Sequence, residues 1–534
     1  MGQATHSGTD MRGLVRLVIG LVAMVPGIAV PQTAPAGLTA TMPAAATRQV
    51  ERAGPAPNGV VVTRHAMRLD GEEVRYTATA GMMPIRDEQG QARAEIFFVA
   101  YTRDDRPPEG RPIMFAFNGG PGAASIWLHL AAMGPKRVVL GEQGVSLPER
   151  FELVDNEYTW LAFSDLVFID PVGTGFSRAA PGVQAKEFYG LKPDVQILAE
   201  FVREYITRYG RWLSPKYIAG ESYGTTRAVA LAGHLQNKVG MFFDGLILIS
   251  AALDFQTLVF DESNDLPYIV FLPAYTATAW YHGKLPPGLQ DRPLKSVLAE
   301  AEGWANVTYR LALAMGSDLD GEERERVIAE YARYTGLPAR LVRSSNLRIS
   351  NTQFTREILR DRGLLVGLLD GRVTGLPAGR ESFITDPSLF ITLGPLVATM
   401  YHYVQHDLQY QTSRTYEFLN VEVGNQWAWG SAVEGYPSVV STLRQAMSSN
   451  TRLRVHMACG YYDLDTSYTS QTYSARHLLL DRHIRDHFEI SYYHAGHQLY
   501  TLVPELEALT ENIRRFVAGG MRNCRAVSAE GGRQ

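Results

Sequence analysis

The sequence predicts an α/β fold: a mostly parallel central sheet with flanking helices and an inserted helical cap. Three observations predict it. Between Pro112 and Ser250 short apolar runs alternate with helix-like segments, the rhythm of a doubly wound sheet. Three runs end in glycine-rich loops: Asn118-Gly119-Gly120-Pro121-Gly122, Asp170-Pro171-Val172-Gly173-Thr174-Gly175 and Gly220-Glu221-Ser222-Tyr223-Gly224. Ligands of such sheets bind beyond the carboxyl ends of the strands, so the loops are placed to share a site. The rhythm then stops near Ala251 and returns after Val440, which makes one discontinuous domain interrupted by an insertion.

In chain order, Arg12 and Arg16 precede an apolar run from Leu17 to Val30. Residues 1–30 read as an export signal, and the Pro/Ala-rich residues 31–57 as a disordered linker. Gly20, Pro26 and Gly27 interrupt the run, and no other segment is long and apolar enough to span a bilayer. The expected location is therefore exported, in the periplasm or outside a bacterial cell, with no stable membrane span after processing. Residues 58–250 read as the first part of the α/β domain, 251–440 as the cap, 441–520 as the second part and 521–534 as a tail.

The mix of 46% hydrophobic and 20% charged residues over 534 positions supplies ample core. A net charge of −4 without a long basic run argues against nucleic acid as a partner. Cys459 and Cys524 are the only cysteines, which excludes a disulfide scaffold and leaves one bridge open.

From Val60 the pattern is β. Val60–Val62 and Met67–Leu69 run into Asp70-Gly71, a hairpin signal, Val74–Thr77 alternates after it, and Ala94–Tyr101 follows a turn at Gln89-Gly90. These are expected as antiparallel strands at a sheet edge. Pro112–Phe117, Leu166–Ile169, Tyr217–Ala219 and Gly245–Ser250 follow, with a helix over 186–209. In the insertion, Leu294–Met315 and Glu322–Tyr334 have helical spacing. Its many aromatics, Trp427 and Trp429 among them, are expected to serve mainly in packing. Leu453–Met457 and Phe488–Tyr492 resume the strands, and a last helix is expected from Pro504 to Val517.

The stretch Gly220–Gly224 lies between a strand-like run and the small-residue helical run through Ala228, Ala230 and Ala232. That is the strand–turn–helix of a nucleophile elbow, with Ser222 at its apex, and it specifies the α/β-hydrolase fold. A serine hydroxyl needs a base, and the base needs a carboxylate to hold its tautomer. In this fold they follow in the order Ser, acid, His. Asp463 lies past Gly460 at a strand end, and His497 follows Ala495-Gly496 past another. Asp465 and His494 are the nearby competitors, and His456, inside an apolar strand, reads as structural. Backbone N–H groups of Tyr223 and of the Gly119-Gly120 loop could form an oxyanion hole. That loop lacks the Lys-Ser/Thr and the G-x-G-x-x-G of nucleotide cradles.

Asn118–Gly122 with Met133-Gly134-Pro135, Asp170–Ser177, Gly220–Gly224, Gly460-x-x-Asp463 and Ala495-Gly496-His497 together resemble the serine carboxypeptidase family, its bacterial members in particular. The resemblance covers roughly 110–260 and 450–515. It implies an α/β-hydrolase fold, no metal and no cofactor. It implies removal of single residues from peptides with a free C-terminus, through an acyl-enzyme. It implies Ser222, Asp463 and His497 as the triad, Gly120 and Tyr223 as oxyanion donors, and Asn118 and Glu221 as ligands of the substrate's terminal carboxylate. Glu221 can donate to a carboxylate only when protonated, so peptide hydrolysis is expected to be strongest at mildly acid pH.

The chain departs from the family where Ala116 replaces a usual Trp, Ala132 a usual clamp Glu, Ala123 a usual Cys, and Gln498 a usual Met or Glu. An esterase or acyltransferase on the same scaffold, or an envelope binding protein with a relic site, are the alternatives.

Overall fold

The computed structural model describes residues 59–141, 144–377, 385–430 and 435–530, without the side chains of residue 109 and residues 521–530. The export segment 1–30, the linker 31–57, the end of the 521–534 tail and any Cys459–Cys524 pairing lie outside the described residues. Cys459 itself is buried.

A ten-stranded sheet organises the molecule. Its main strands are β1 (Val60–Leu69), β2 (Glu72–Arg86), β3 (Ala92–Arg103), β4 (Ile113–Phe117), β5 (Asp165–Ile169), β6 (Lys216–Glu221), β7 (Gly245–Ile249), β8 (Arg454–Gly460) and β9 (Phe488–Tyr493). Their spatial order is β1-β2-β3-β5-β4-β6-β7-β8-β9, and a two-residue strand, Arg178–Ala179, pairs with β3. β1 to β3 are antiparallel, as expected, and β3 meets β5 antiparallel. From β5 to β9 every pairing is parallel. Asp70 and Gly71 both take positive φ, 51° and 85°, at the β1–β2 turn. Such a turn matches the strand twist, which is why Asp-Gly forms it.

β4, β5 and β7 are buried along their whole length because helices cover both faces. Side chains alternate between two cores. Phe115, Val167, Ile218 and Leu246 lie in one, while Met114, Ala116, Leu166, Phe168, Ala219 and Ile247 lie in the other. Helix α1 (Leu191–Arg208) presents Val195, Leu198, Phe201, Val202 and Tyr205 to the first core at helical spacing. It stops where Gly210 takes φ 64°, the left-handed position that ends many helices. Helix α2 (Tyr223–Val239) packs beside α1.

Between β7 and β8 the chain is mainly helical. α3 (Leu266–Tyr281), α4 (Leu294–Trp304), α5 (Gly321–Thr335), α6 (Pro387–His406) and α7 (Val440–Ser449) are its longer helices. The continuous helix expected over Leu294–Met315 is broken by a π-helical stretch at Ala305–Tyr309, a local change in hydrogen bonding that apolar spacing does not encode. Single bridges tie the far part of this insertion to the ends of two glycine-rich loops, Ala123 to Leu419 and Gly175 to Glu417, and to the start of α1, Gly190 to Ala428. The last helix, α8 (Val503–Glu530), packs Leu506, Leu509, Ile513 and Phe516 on the second core and runs past Val517, where that periodicity ends. No helix among the described residues is long and apolar enough to cross a membrane.

Candidate active site

β6 delivers the chain to Ser222, which takes φ 59° and ψ −132° before α2 begins at Tyr223. A Cβ-bearing residue pays strain there, and such strain persists only where the surroundings over-determine it. The surroundings are tight. A Cβ on Gly220 would stand 2.3 Å from the Gly224 oxygen, and one on Gly224 2.8 Å from the Phe117 oxygen. Neither glycine has positive φ, so both are required by close approach. A Cβ on Gly119 would stand 2.5 Å from the Tyr223 nitrogen, which places the Asn118–Gly122 loop directly against the elbow. Gly120 takes φ 97°. As the first residue of α2, Tyr223 has no intrahelical acceptor for its N–H.

Asp463 and His497 are both buried and joined by a 2.9 Å bond between Oδ2 and Nδ1. The Asp463 carboxylate is saturated. Its Oδ1 accepts from the amides of Asp465 (2.9 Å) and Thr466 (2.8 Å), and its Oδ2 from the Thr466 hydroxyl (2.7 Å). His497 is held through its backbone, which donates to Leu369 O and accepts from the Ser250 hydroxyl, both at 2.6 Å. Ser250 directly follows Ile249, whose carbonyl accepts from Ser222 N at 3.0 Å, so elbow and histidine loop share an anchor. Among the described residues no hydrogen bond joins Ser222 Oγ to His497. Without substrate such bonds are often long. Burial alone would lower the His497 pKa, but Asp463, with help from Asp465 and Glu221, raises it to about 9.

The competitors fall away. Asp465 gives Asp463 its backbone N–H. His494 is exposed and packs on the Tyr461 ring. His456 is buried, bonded to Glu489 and Ser491 at 2.8 Å each. That trio has the connectivity of a triad, but Ser491 lies within extended β9 rather than at a helix N-terminus, where amides would face a developing charge.

Glu221 is buried beside Ser222 in the chain. Burial raises its pKa to about 7, against the opposing pull of His497 and hydrogen bonds from Tyr500 and Asn118. The Tyr500 hydroxyl donates to Glu221 Oε2 at 2.6 Å. Asn118 Oδ1 accepts from Leu128 N at 3.1 Å, which leaves its NH2 as the donating end. Beneath the loop, the buried Arg227 donates to Asp194 Oδ2 and to the Asn118 carbonyl, both at 2.7 Å, under the ring of Tyr223. One guanidinium thus couples the Asn118 loop to α2. From the insertion, Trp427 and Trp429 meet the Tyr223 ring edge-on, at 5.3 Å and 5.9 Å.

Residues 70–256 match the family model described as serine carboxypeptidase. Over these residues, about a third of its length, the chain is similar to the serine carboxypeptidase family. Serine carboxypeptidase-like 5 of Arabidopsis thaliana is 29% identical over 151 residues, 27% of this chain and 33% of that protein. Serine carboxypeptidase-like 2 of the same plant is 31% identical over 140 residues, 25% and 30% of the two chains. The chain thus spans about a third of the curated relatives it matches. Kex1(delta)p, a prohormone-processing carboxypeptidase from Saccharomyces cerevisiae, superposes with a TM-score of 0.54 at 15% identity, covering 83% of this chain and 91% of that one. This likeness shows the shared α/β-hydrolase fold.

Sequence reasoning brought forward Ser222, Asp463, His497, Asn118, Glu221, Gly120 and Tyr223, and it missed Thr466, Tyr500 and Arg227. Arg227 had a faint signal, a cation on the small-residue helix directly after the elbow. Thr466 and Tyr500 had none, because their partners are set by loop conformation.

Proposed function

We propose that this chain is a serine carboxypeptidase, which hydrolyses the C-terminal peptide bond of its substrates through an acyl-enzyme. The observation that carries the reading is Glu221: a buried carboxyl that favours its neutral form, next to the elbow serine and bonded to donors. A neutral carboxyl can donate to a substrate's terminal carboxylate, a group that an ester substrate does not present.

Ser222 Oγ attacks the scissile carbonyl carbon and its proton passes to His497 Nε2. Asp463 holds the other ring nitrogen as N–H and stabilises the imidazolium that forms. The carbonyl oxygen, now negative, faces the N–H groups of Tyr223 and Gly120. Collapse breaks the C–N bond, and the leaving amine takes the proton from His497. A water then gives a proton to His497 and adds to the acyl carbon. The second collapse returns that proton to Ser222 and releases the shortened peptide. Until the amine departs, Asn118 and protonated Glu221 hold the terminal carboxylate that it carries. Neutral Glu221 also removes one negative charge that would keep His497 protonated.

The reading is tested with a blocked dipeptide and its C-terminal amide and, on a separate sample, with a fluorophosphonate probe that labels the serine. The expected kcat/KM ratio is about a hundredfold or more in favour of the free acid, because the amide leaves buried clamp groups unpaired. Equal rates would favour the esterase reading, for which Ala132 in place of a clamp glutamate speaks. No labelling would mean a relic site.

The pH dependence follows from the same group. Glu221 is the neutral donor below about pH 7 and a repelling carboxylate above it. KM for free-acid peptides is therefore expected to rise as pH climbs through 7. In Glu221→Gln, which stays neutral, that rise should vanish. A wild-type KM that is flat from pH 5 to 8 would contradict this role.

A further inference from the structure

The carboxylate clamp lacks one of its usual glutamates, because Ala132 is a methyl group buried in the π-helical segment Leu128–Met133. The 3-10 turn Leu499–Thr501 packs against that segment. It carries Tyr500, buried, whose hydroxyl reaches Glu221 Oε2 at 2.6 Å and also hydrogen-bonds the Asn118 side chain. We propose that the Tyr500 hydroxyl supplies the second clamp donor, in the place where Ala132 leaves none, and so sets the preference for a free C-terminal carboxylate. The inference rests on the carboxypeptidase reading and deepens it.

The chemistry differs from that of a glutamate pair. Two carboxylic acids that share one proton lose their donor when that proton leaves. A phenol keeps its own. Burial and the neighbouring Glu221 hold the Tyr500 pKa well above its ordinary value. At neutral pH Tyr500 therefore remains a donor whichever state Glu221 adopts. With an empty site it donates to Glu221. With a substrate bound, protonated Glu221 no longer needs that bond, and the phenol can turn its O–H to the second carboxylate oxygen. Asn118, its Oδ1 fixed by Leu128 N, offers its NH2 to the same anion.

The test is Tyr500→Phe in the full chain, which keeps the ring and removes only the hydroxyl. For the free-acid dipeptide KM is expected to rise about tenfold, the value of one hydrogen bond to a charged group. The change in kcat should stay within about twofold, and kcat/KM for the amide should fall by a clearly smaller factor than for the free acid. The pH at which KM climbs should also move upward, because a bond that favours ionised Glu221 is gone while His497, Asp463 and Asn118 still face it. Thermal melting measured alongside separates a packing defect from this pattern. Equal losses on acid and amide, or an unmoved pH limb, overturn the assignment. A wild type that does not distinguish acid from amide overturns the carboxypeptidase reading, and this inference with it. A wild type that does distinguish them, with Tyr500→Phe unchanged, overturns only the role of Tyr500.

Discussion

Ser222→Ala is expected to lower kcat on a C-terminal peptide bond by about a million-fold, with KM little changed. The hydroxyl is the only nucleophile offered by the elbow, and water cannot take its position without the proton path through His497. The remaining rate would come from the Tyr223 and Gly120 amides and from binding, which together leave about a thousandfold over water. Steady-state hydrolysis by a preparation purified free of wild-type enzyme, with loss of fluorophosphonate labelling, checks it. A variant retaining a hundredth of the wild-type rate would remove Ser222 from the mechanism. Folding should be untouched, since alanine has the same Cβ as serine at φ 59°. Ser222→Gly offers a sharper control. It should be as inactive, yet more stable by about 1 kcal/mol, because glycine carries no penalty in that region. An inactive variant with a higher melting temperature would mark the strain as something the fold maintains for the reaction.

How much of this could be read in advance depended on the range of the interaction concerned. The elbow was legible because every part of it is local: Gly220, Ser222 and Gly224 sit in one stretch, and their crowding is a property of that stretch. The strands were legible because β4, β5, β6 and β7 are buried on both faces and read as plain apolar runs. The order Ser222, Asp463, His497 was legible from chain order and strand ends, although the 2.9 Å contact itself joins loops that follow two different strands. What depends on loop conformation was not legible. Tyr500 is three residues beyond His497, and only the 3-10 turn at Leu499–Thr501 aims its phenol at Glu221. Thr466 binds Asp463 because the loop after β8 folds back over its own carboxylate. Trp427 and Trp429 read as packing residues, and they do pack. Their partner is the ring that follows the nucleophile, a fact that depends on how the insertion returns to the glycine-rich loops. Ala132 could be identified as a gap in the clamp, but what fills the gap lies hundreds of positions away in the chain.

Asp463→Asn should lower kcat by about ten-thousand-fold, and the pattern of donors around the carboxylate gives the reason. Every group that contacts Asp463 is a donor: the amides of Asp465 and Thr466 on Oδ1, the Thr466 hydroxyl and His497 Nδ1 on Oδ2. An asparagine keeps one acceptor oxygen. Two backbone amides cannot move away from Oδ1, so the oxygen stays with them and the NH2 replaces Oδ2. That NH2 then faces His497 Nδ1 and donates to it, which puts the ring proton on Nε2, the atom that must receive the proton of Ser222. The imidazolium also loses the carboxylate that raises its pKa to about 9, and burial then pulls the value down. The variant should therefore combine a large loss in kcat with a downward shift of the His497 titration, followed by NMR of the ring or by the acid limb of kcat. Asp465→Asn is the matched control. It leaves the backbone N–H that Asp465 gives to Asp463 in place, and the expected loss is no more than about tenfold, since it removes only one nearby charge. If Asp465→Asn proved the more damaging of the two, the acid of the triad would have to be reassigned. The saturated hydrogen bonding of Asp463 would then be a structural feature of the loop alone.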